Sequence, residues 1–274
     1  MDIASLLGVA LAMGGILFGM TLEGGSLRQI LQPTAAVIVL SGTAGAVMLQ
    51  FPLHVMYAAV VQGMRVFFVR GLKAEGALKQ IVGFAYTARR DGILALDREL
   101  DTVKDAFLKQ ALMLAIDGTE PEEVRTIMRL QLENHAEMDE HIPAVFEAAG
   151  GYAPTVGILG AVLGLIQVMQ HLDHIDEVGR GIAMAFVATI YGVGLANLIC
   201  LPAAGKLKIR QRDEQRNKEM MLDGVLSILE GMTPRMIETK LHTYLLAPKG
   251  KARQRRGEPA GERPVAVTDD EVAA

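Results

Sequence analysis

Among the hydroxyl-bearing side chains in the apolar stretches of this 274-residue chain, three are its best candidates for chemistry. Thr155 lies in the stretch YAPTVGILGAVLGLIQVM, and Thr189 and Tyr191 lie in the stretch AFVATIYGVGLANLIC. A hydroxyl oxygen can ligate a cation or take part in a proton-linked hydrogen bond, but it can equally bond to a carbonyl of its own helix. The residue types therefore leave a functional role and a structural role open for each position.

The stretches that carry these hydroxyls are long enough to cross a membrane. Hydrophobic residues make up 51% of the chain and are clustered rather than periodic. A transmembrane helix needs roughly 20 apolar residues, and four segments approach that length: 3–22, 34–51, 152–172 and 182–204. We predict an all-α membrane protein with four transmembrane helices.

None of these four spans contains Asp, Glu, Lys or Arg. An ionisable side chain at membrane depth is the usual mark of an ion or proton pathway. If this protein passes an ion, a partner must therefore supply the titrating group.

Small residues line the third span at helical spacing. Gly157, Gly160 and Gly164 fall on one stripe, which is typical of membrane helices that pack closely against a neighbour. A phosphate-binding loop is excluded because the glycines lie inside an apolar span.

Two prolines, Pro154 and Pro202, lie near the ends of the third and fourth spans. Each removes a backbone donor and disfavours a continuous helix, so each could mark a helix end at the membrane surface. Two prolines at similar depth on neighbouring helices could instead form a hinge. Composition does not choose between these interpretations.

Basic residues follow the second and fourth spans, whereas the other two loops are acidic or nearly neutral. The positive-inside rule then places both termini in the cytoplasm. We predict five regions: a transmembrane hairpin 1–52, a cytoplasmic helical domain 53–150, a second hairpin 151–205, a cytoplasmic helical extension 206–247 and a disordered tail 248–274.

The segment ARRDGILALDRE, residues 88–99, concentrates charges of both signs in the predicted cytoplasmic domain. Such a cluster is usually a solvated face. It can also dock a partner, since complementary charges steer and register two surfaces. Arg89, Arg90, Asp97 and Glu99 are the residues that would form this surface.

The sequence contains no sign of covalent catalysis or metal binding. Cys200 is the single cysteine, and the histidine pairs, 135 with 141 and 171 with 174, do not form a convincing ligand set. We expect no cofactor and no enzymatic activity.

Several segments together resemble the MotA/PomA family of bacterial flagellar stator subunits, within its PomA/MotC-like branch. They are MDIASLLGVALAMGGILFGMTLEGG, ARRDGILALD, APTVGILGAVLGL, AFVATIYGVGLANLICLPAAGKL and LDGVLSILEGMTPRMIETKLHTYL. Their order and spacing resemble the family over nearly the whole chain before Pro248.

This resemblance implies a homo-oligomeric ring, of five A subunits around two copies of a MotB/PomB-like partner, in the bacterial inner membrane. The partner carries an ion-binding aspartate and anchors to peptidoglycan; no nucleic acid is involved. Thr155 and Thr189 match positions facing that aspartate, and Tyr191 is expected beside them. Pro154 and Pro202 match the prolines that couple ion flow to movement.

The charged positions Arg89, Arg90 and Asp97 match residues that engage the rotor protein FliG. The second acidic position of the family is occupied by Arg98 here, and Glu99 follows it. The resemblance thus implies a torque-generating, ion-conducting complex.

The coupling ion is expected to be the proton. Sodium-driven relatives tend to carry an acidic residue near the start of the second span, where this chain has Gln32, although the two threonines are compatible with sodium. An ExbB/TolQ-type energiser and, less strongly, a secondary transporter are the alternative functions.

Overall fold

A computed structural model describes residues 3–25, 27–68, 74–170, 172 and 175–245, and these residues form helices joined by turns. The α-helices are α1 (Ile3–Leu22), α2 (Leu27–Ile30), α3 (Pro33–Gln50), α4 (Leu53–Phe68), α5 (Ala74–Asp91), α6 (Ala106–Ile116), α7 (Pro121–Gln170), α8 (Ile175–Gly194), α9 (Leu201–Leu229) and α10 (Pro234–Leu245). A 3₁₀ helix spans Ile93–Thr102, and a π-helical turn, Leu195–Cys200, joins α8 to α9.

Three helices of the described chain are long and apolar enough to cross a membrane: Pro33–Gln50, Pro121–Gln170 and Val178–Leu229. A shorter apolar helix covers Leu7–Leu22, within the first predicted span. The prediction of an all-helical chain is confirmed for the described residues, and these residues include helices that are long and apolar enough to cross a membrane.

The helix α7 is the longest single element, with 50 residues and a length of about 75 Å at 1.5 Å per residue. It continues through both Pro143 and Pro154. The second long helix likewise runs without a break from Val178 to Leu229, past Pro202. The interpretation of Pro154 and Pro202 as helix ends is therefore wrong, because packing against neighbouring helices sustains the helix where one backbone donor is missing.

A compact helical head is built from α5, the 3₁₀ helix, α6, the first part of α7, the last part of α9 and α10. Its core contains Ile81, Leu96, Leu108, Met128 and Ile237, none of which is more than 1% exposed. The predicted segments 53–150 and 206–247 thus share one hydrophobic core, which sequence order alone does not reveal.

Turns and caps set the ends of the head helices. Asp105 caps α6 by accepting hydrogen bonds from the backbone N–H groups of Phe107 and Leu108. Gly92 ends α5 with a φ of 87°, a left-handed conformation that favours glycine, and turns the chain into the 3₁₀ helix.

The last helix, α10, is fastened to α9 by a polar network in the head. The Tyr244 hydroxyl donates to an Asp223 carboxylate oxygen at 2.9 Å, and Lys240 lies 3.3 Å from the same oxygen. Burial and the neighbouring Asp223 raise the pKa of Tyr244 to about 12. The phenol therefore stays protonated and keeps its donor at physiological pH. The predicted tail, from residue 248, lies outside the described residues.

Candidate functional site

The contact between α7 and α8 is made by small residues on both helices. Gly157, Gly160 and Gly164 are buried on the α7 side. A methyl group added at Gly157 would lie 2.9 Å from the Ala188 carbonyl oxygen, and one at Gly164 would lie 2.9 Å from the Gly181 carbonyl oxygen. The two backbones are in direct contact here, so the helices are held at a separation that no larger residue allows.

Thr189 lies at this contact, because its Cα would stand 3.4 Å from a methyl group added at Gly157, whereas Thr155 lies two residues before Gly157, on another face of α7. The Thr155 side chain is exposed and its hydroxyl donates to the Tyr152 carbonyl of its own helix at 2.7 Å. Thr189 is half-buried and donates to the Ala185 carbonyl at 3.3 Å. Such a bond to the same helix is what a structural role requires, yet each hydroxyl oxygen still has lone pairs that can accept a hydrogen bond or ligate a cation.

Tyr191 makes its hydrogen bonds away from both threonines. Its hydroxyl donates to the Ile30 carbonyl at 2.6 Å and accepts from the Gln32 N–H at 3.4 Å. Residues two apart on a helix point about 200° apart, so Tyr191 and Thr189 occupy different faces of α8. In this chain Tyr191 ties α8 to the start of α3.

Pro202 follows the π-helical turn that joins α8 to α9. A proline lacks the N–H that would bond to the carbonyl four residues earlier, and a π-helical turn locally widens the helix. The two irregularities coincide at the end of the apolar segment that is predicted to face the cytoplasm. Pro154 is half-buried one turn before Gly157, within a regular part of α7.

Arg89, Arg90 and Asp97 are all exposed on the head, around the turn at Gly92. Arg90 forms an ion pair with the adjacent Asp91 at 2.8 Å, and this contact lowers the pKa of the Asp91 carboxyl.

Glu99 differs from the other charged candidates because it is half-buried. Its carboxylate accepts a hydrogen bond from the Thr87 hydroxyl at 2.9 Å, which joins the 3₁₀ helix to α5. The exposed set of charges is therefore smaller than the predicted set, and Glu99 helps to position it.

One buried polar residue of the apolar helices could not be identified as a candidate from the sequence. Thr43 on α3 is only 4% exposed, and its hydroxyl has no hydrogen-bond partner within the described part of the chain. A threonine among apolar residues is too common to single out. Its burial depends on the face that α3 turns toward its neighbours, which only the fold decides.

Among the described residues, no group of three or more His, Cys, Asp or Glu side chains could hold a metal ion. The histidine pair at 171 and 174 lies outside these residues. What the described geometry offers is a pair of closely packed apolar helices bearing hydroxyl groups, joined to a charged head.

Comparison with known proteins first defines the class of protein to which this chain is similar. A sequence model of the MotA/TolQ/ExbB proton channel family matches residues 99–220. This class fits a helical chain with helices long and apolar enough to cross a membrane.

Individual relatives identify the family within this broader class of proteins. Motility protein A of Bacillus subtilis is 41% identical over 249 residues, which cover 90% of this chain and 92% of that protein. The chemotaxis protein PomA of Vibrio alginolyticus is 31% identical over 245 residues, or 89% of this chain and 96% of that protein. The chain belongs to the MotA/PomA family.

The fold also matches those of solved structures over nearly the whole chain. A chain of the flagellar MotAB stator complex from Bacillus subtilis has a TM-score of 0.82 and 39% identity, covering 94% of this chain and 100% of that chain. A chain of C. jejuni MotAB has a TM-score of 0.85 and 32% identity, covering 91% and 98%.

Proposed function

We propose that this chain is the membrane subunit of a bacterial flagellar stator, which converts ion flow across the inner membrane into torque on the rotor. The observation that carries the proposal is the match, over nearly full length in both sequence and fold, to chains of MotAB stator complexes. Nothing in the described part of the molecule favours an ExbB/TolQ-type energiser or a transporter over this role.

The proposed topology has four membrane spans, with α1 as the first and both termini in the cytoplasm. The head then projects into the cytoplasm. This arrangement is supported by the basic residues that follow the second and fourth predicted spans. It also puts Arg89, Arg90 and Asp97 on the side where a rotor would be met.

The ion path requires a partner, because the predicted spans hold no ionisable carboxylate. We assign that group to the membrane helix of a MotB/PomB-like subunit, with two copies inside a ring of five copies of this chain. Thr155 and Thr189 face the ion-bearing aspartate in this arrangement. Tyr191, whose hydroxyl binds the Ile30 carbonyl, holds the wall of the path in shape.

Ion transfer supplies the energy for movement. One elementary charge that crosses a potential of about 100 mV releases about 2.3 kcal/mol. Pro154 and Pro202 let α7 and α9 flex as the partner's aspartate changes its charge. The ring then steps around the partner, and Arg89, Arg90 and Asp97 push the rotor protein FliG. This mechanism needs no covalent chemistry.

The test uses a strain that lacks every stator and regains rotation with this chain and its partner. We expect Thr189→Val, Pro154→Leu and Asp97→Lys each to abolish or strongly reduce swimming at normal membrane levels. Thr21→Val is the matched control. The Thr21 hydroxyl makes the same kind of bond, to the Phe18 carbonyl at 2.8 Å, but lies on α1.

Normal swimming by all three variants would reject the stator function. The coupling ion is identified by measuring swimming speed across sodium concentrations, with a protonophore added. We expect protons to drive rotation, because Gln32 stands where sodium-driven relatives tend to have an acid. Speed that rises steeply with sodium would contradict this assignment.

A further inference from the structure

A third proline, Pro143, lies buried inside α7 between the head and the membrane part of the helix. Because Pro143 has no N–H, the Asp139 carbonyl four residues earlier loses its helical hydrogen bond. A buried or half-buried carbonyl without a partner is costly, so the fold must supply another donor.

That donor comes from the other long helix. The Gln211 side-chain amide on α9 donates to the Asp139 backbone carbonyl at 2.6 Å, and Gln211 is half-buried. The bond goes to the backbone of α7 rather than to a side chain. Gln211 therefore supplies the hydrogen bond that Pro143 removes from α7 and, in doing so, fastens α9 to that turn of α7.

A second tie lies on the other side of Pro143. Lys208, three residues before Gln211 on α9, lies 2.6 Å from the carboxylate of Glu147, four residues after Pro143 on α7. Close to these two ties, Leu207 is buried in one cluster with Ile142 and Val145. The two helices are thus joined at two polar points and one apolar point around a single proline.

A cleft adjoins this contact on its head side. It has a volume of about 460 Å³ and opens between α7 and α9, with charged residues on both walls, among them Glu137, Asp139, Glu214 and Lys218. Pro143 lines the cleft at the end where the packing tightens again. The joint therefore sits at a boundary between a tightly packed part of the helix pair and a looser one.

We propose that Pro143, Gln211 and the Lys208–Glu147 pair form a joint that transmits displacement of the membrane helices to the head, with Gln211 as its positioning residue. The inference rests on the proposed stator function. While Gln211 and Lys208 hold α7 to α9, the two helices move as one lever. Without the Gln211 bond, α7 bends at Pro143, and that bend absorbs part of the displacement before it reaches the head.

The experiment measures single motors driven by this chain and its partner in cells that lack other stators. Rotation speed of a bead-loaded motor rises in steps as stators engage, and the step height reports torque per stator. We expect Gln211→Leu to lower the step height at least twofold. Gln211→Lys, which keeps a donor of similar length, should restore most of it. Gln215→Leu is the matched control, since Gln215 is exposed and bonds Glu219 on its own helix.

A double-mutant cycle isolates the joint. Pro143→Ala restores the N–H that bonds the Asp139 carbonyl, so Gln211→Leu should lower the step height much less in that background. A purely stabilising role for Gln211 would reduce the number of steps and leave their height unchanged. Unchanged step height in Gln211→Leu, or an equal loss in the native and Pro143→Ala backgrounds, would overturn the joint.

The unfolding temperature of the purified complex gives a second reading if Gln211→Leu assembles poorly. Gln211→Leu should lower that temperature with Pro143 present and have little effect in Pro143→Ala. Equal changes of the unfolding temperature in both backgrounds would again contradict the proposed joint. If the unmodified chain drives no rotation, the stator function itself is rejected, and the transmission role falls with it.

Discussion

The membrane helix pair and the head are both made of helices, but different forces hold them together. In the pair, the Gly157 and Gly164 backbones meet the backbone of α8, and no large side chain lies between them. In the head, large side chains such as Ile81, Leu96 and Met128 fill the space between helices. Lipid offers no hydrophobic drive for helix association, so close backbone contact replaces it, whereas water drives the head core together.

The two kinds of packing set how each region tolerates change. The head can lose stability gradually as its side chains become smaller. The helix pair has almost no space for an added atom, so steric overlap limits which substitutions it tolerates. A stator needs both properties if closely packed helices are to shift while the head stays rigid enough to push.

The largest effect is expected from Leu96→Ala, which opens a cavity in the head core. Leu96 is 0% exposed, and a buried Leu→Ala change costs about 2–5 kcal/mol. Limited proteolysis of the purified complex should cut the head sooner and leave the membrane helices protected. Leu94→Ala, on the same 3₁₀ helix but 71% exposed, is the control. Equal protease resistance of the two variants would show that the head does not depend on this core.

A smaller effect is expected from Gly157→Ala, which adds one methyl group to the helix pair. The new methyl would lie 2.9 Å from the Ala188 carbonyl oxygen, and overpacking of this kind costs about 1–3 kcal/mol. Thermal unfolding of the complex, followed by circular dichroism, should occur at lower temperature. Gly151→Ala is the control on the same helix, because nothing lies within 4 Å of its added methyl. If both variants unfold alike, steric closeness is not what limits the pair.

The smallest effect is expected at Asp139, which lines the cleft between α7 and α9. Burial raises the pKa of the Asp139 carboxyl, and nearby Glu214 adds to the shift, while Lys218 and His135 oppose it. A raised pKa means that the folded chain binds this proton more tightly than the unfolded chain. The charged carboxylate therefore destabilises the fold above the ordinary value of 3.8.

Asp139→Asn should accordingly raise the unfolding temperature at pH 8, and the gain should shrink as the pH is lowered toward 4. Circular dichroism across this pH range measures it. Glu140→Gln, at an exposed position beside it, is the matched control variant. A gain that is independent of pH would mean that the carboxylate charge is not the cause.

Much of the fold follows from sequence because membrane crossing and helix formation are local properties. Apolar length predicts the spans that contain Thr155 and Thr189, and both residues lie in helices of the structure. The family follows from motifs spread along nearly the whole chain. The four-span topology and the roles of the site residues remain predictions.

Other features depend on neighbours that lie far apart in the sequence. Pro154 and Pro202 stand within continuous helices, although a proline by itself disfavours that outcome. Tyr191 lies close to Thr189 along the chain, yet its hydroxyl binds Ile30, more than 150 residues away. The partner of a side chain is set by helix packing, which periodicity in one segment does not report.

The helical class, the apolar spans and the lack of Asp, Glu, Lys and Arg within the predicted spans can be read from the order of residues, because each depends on the composition of a single segment. Two other features need the folded chain: segments 53–150 and 206–247 share one core, and Gln211 satisfies the carbonyl that Pro143 leaves unpaired. Hydrogen bonds and core contacts between distant segments are chosen by the packing of whole helices, and that packing is a property of the complete fold.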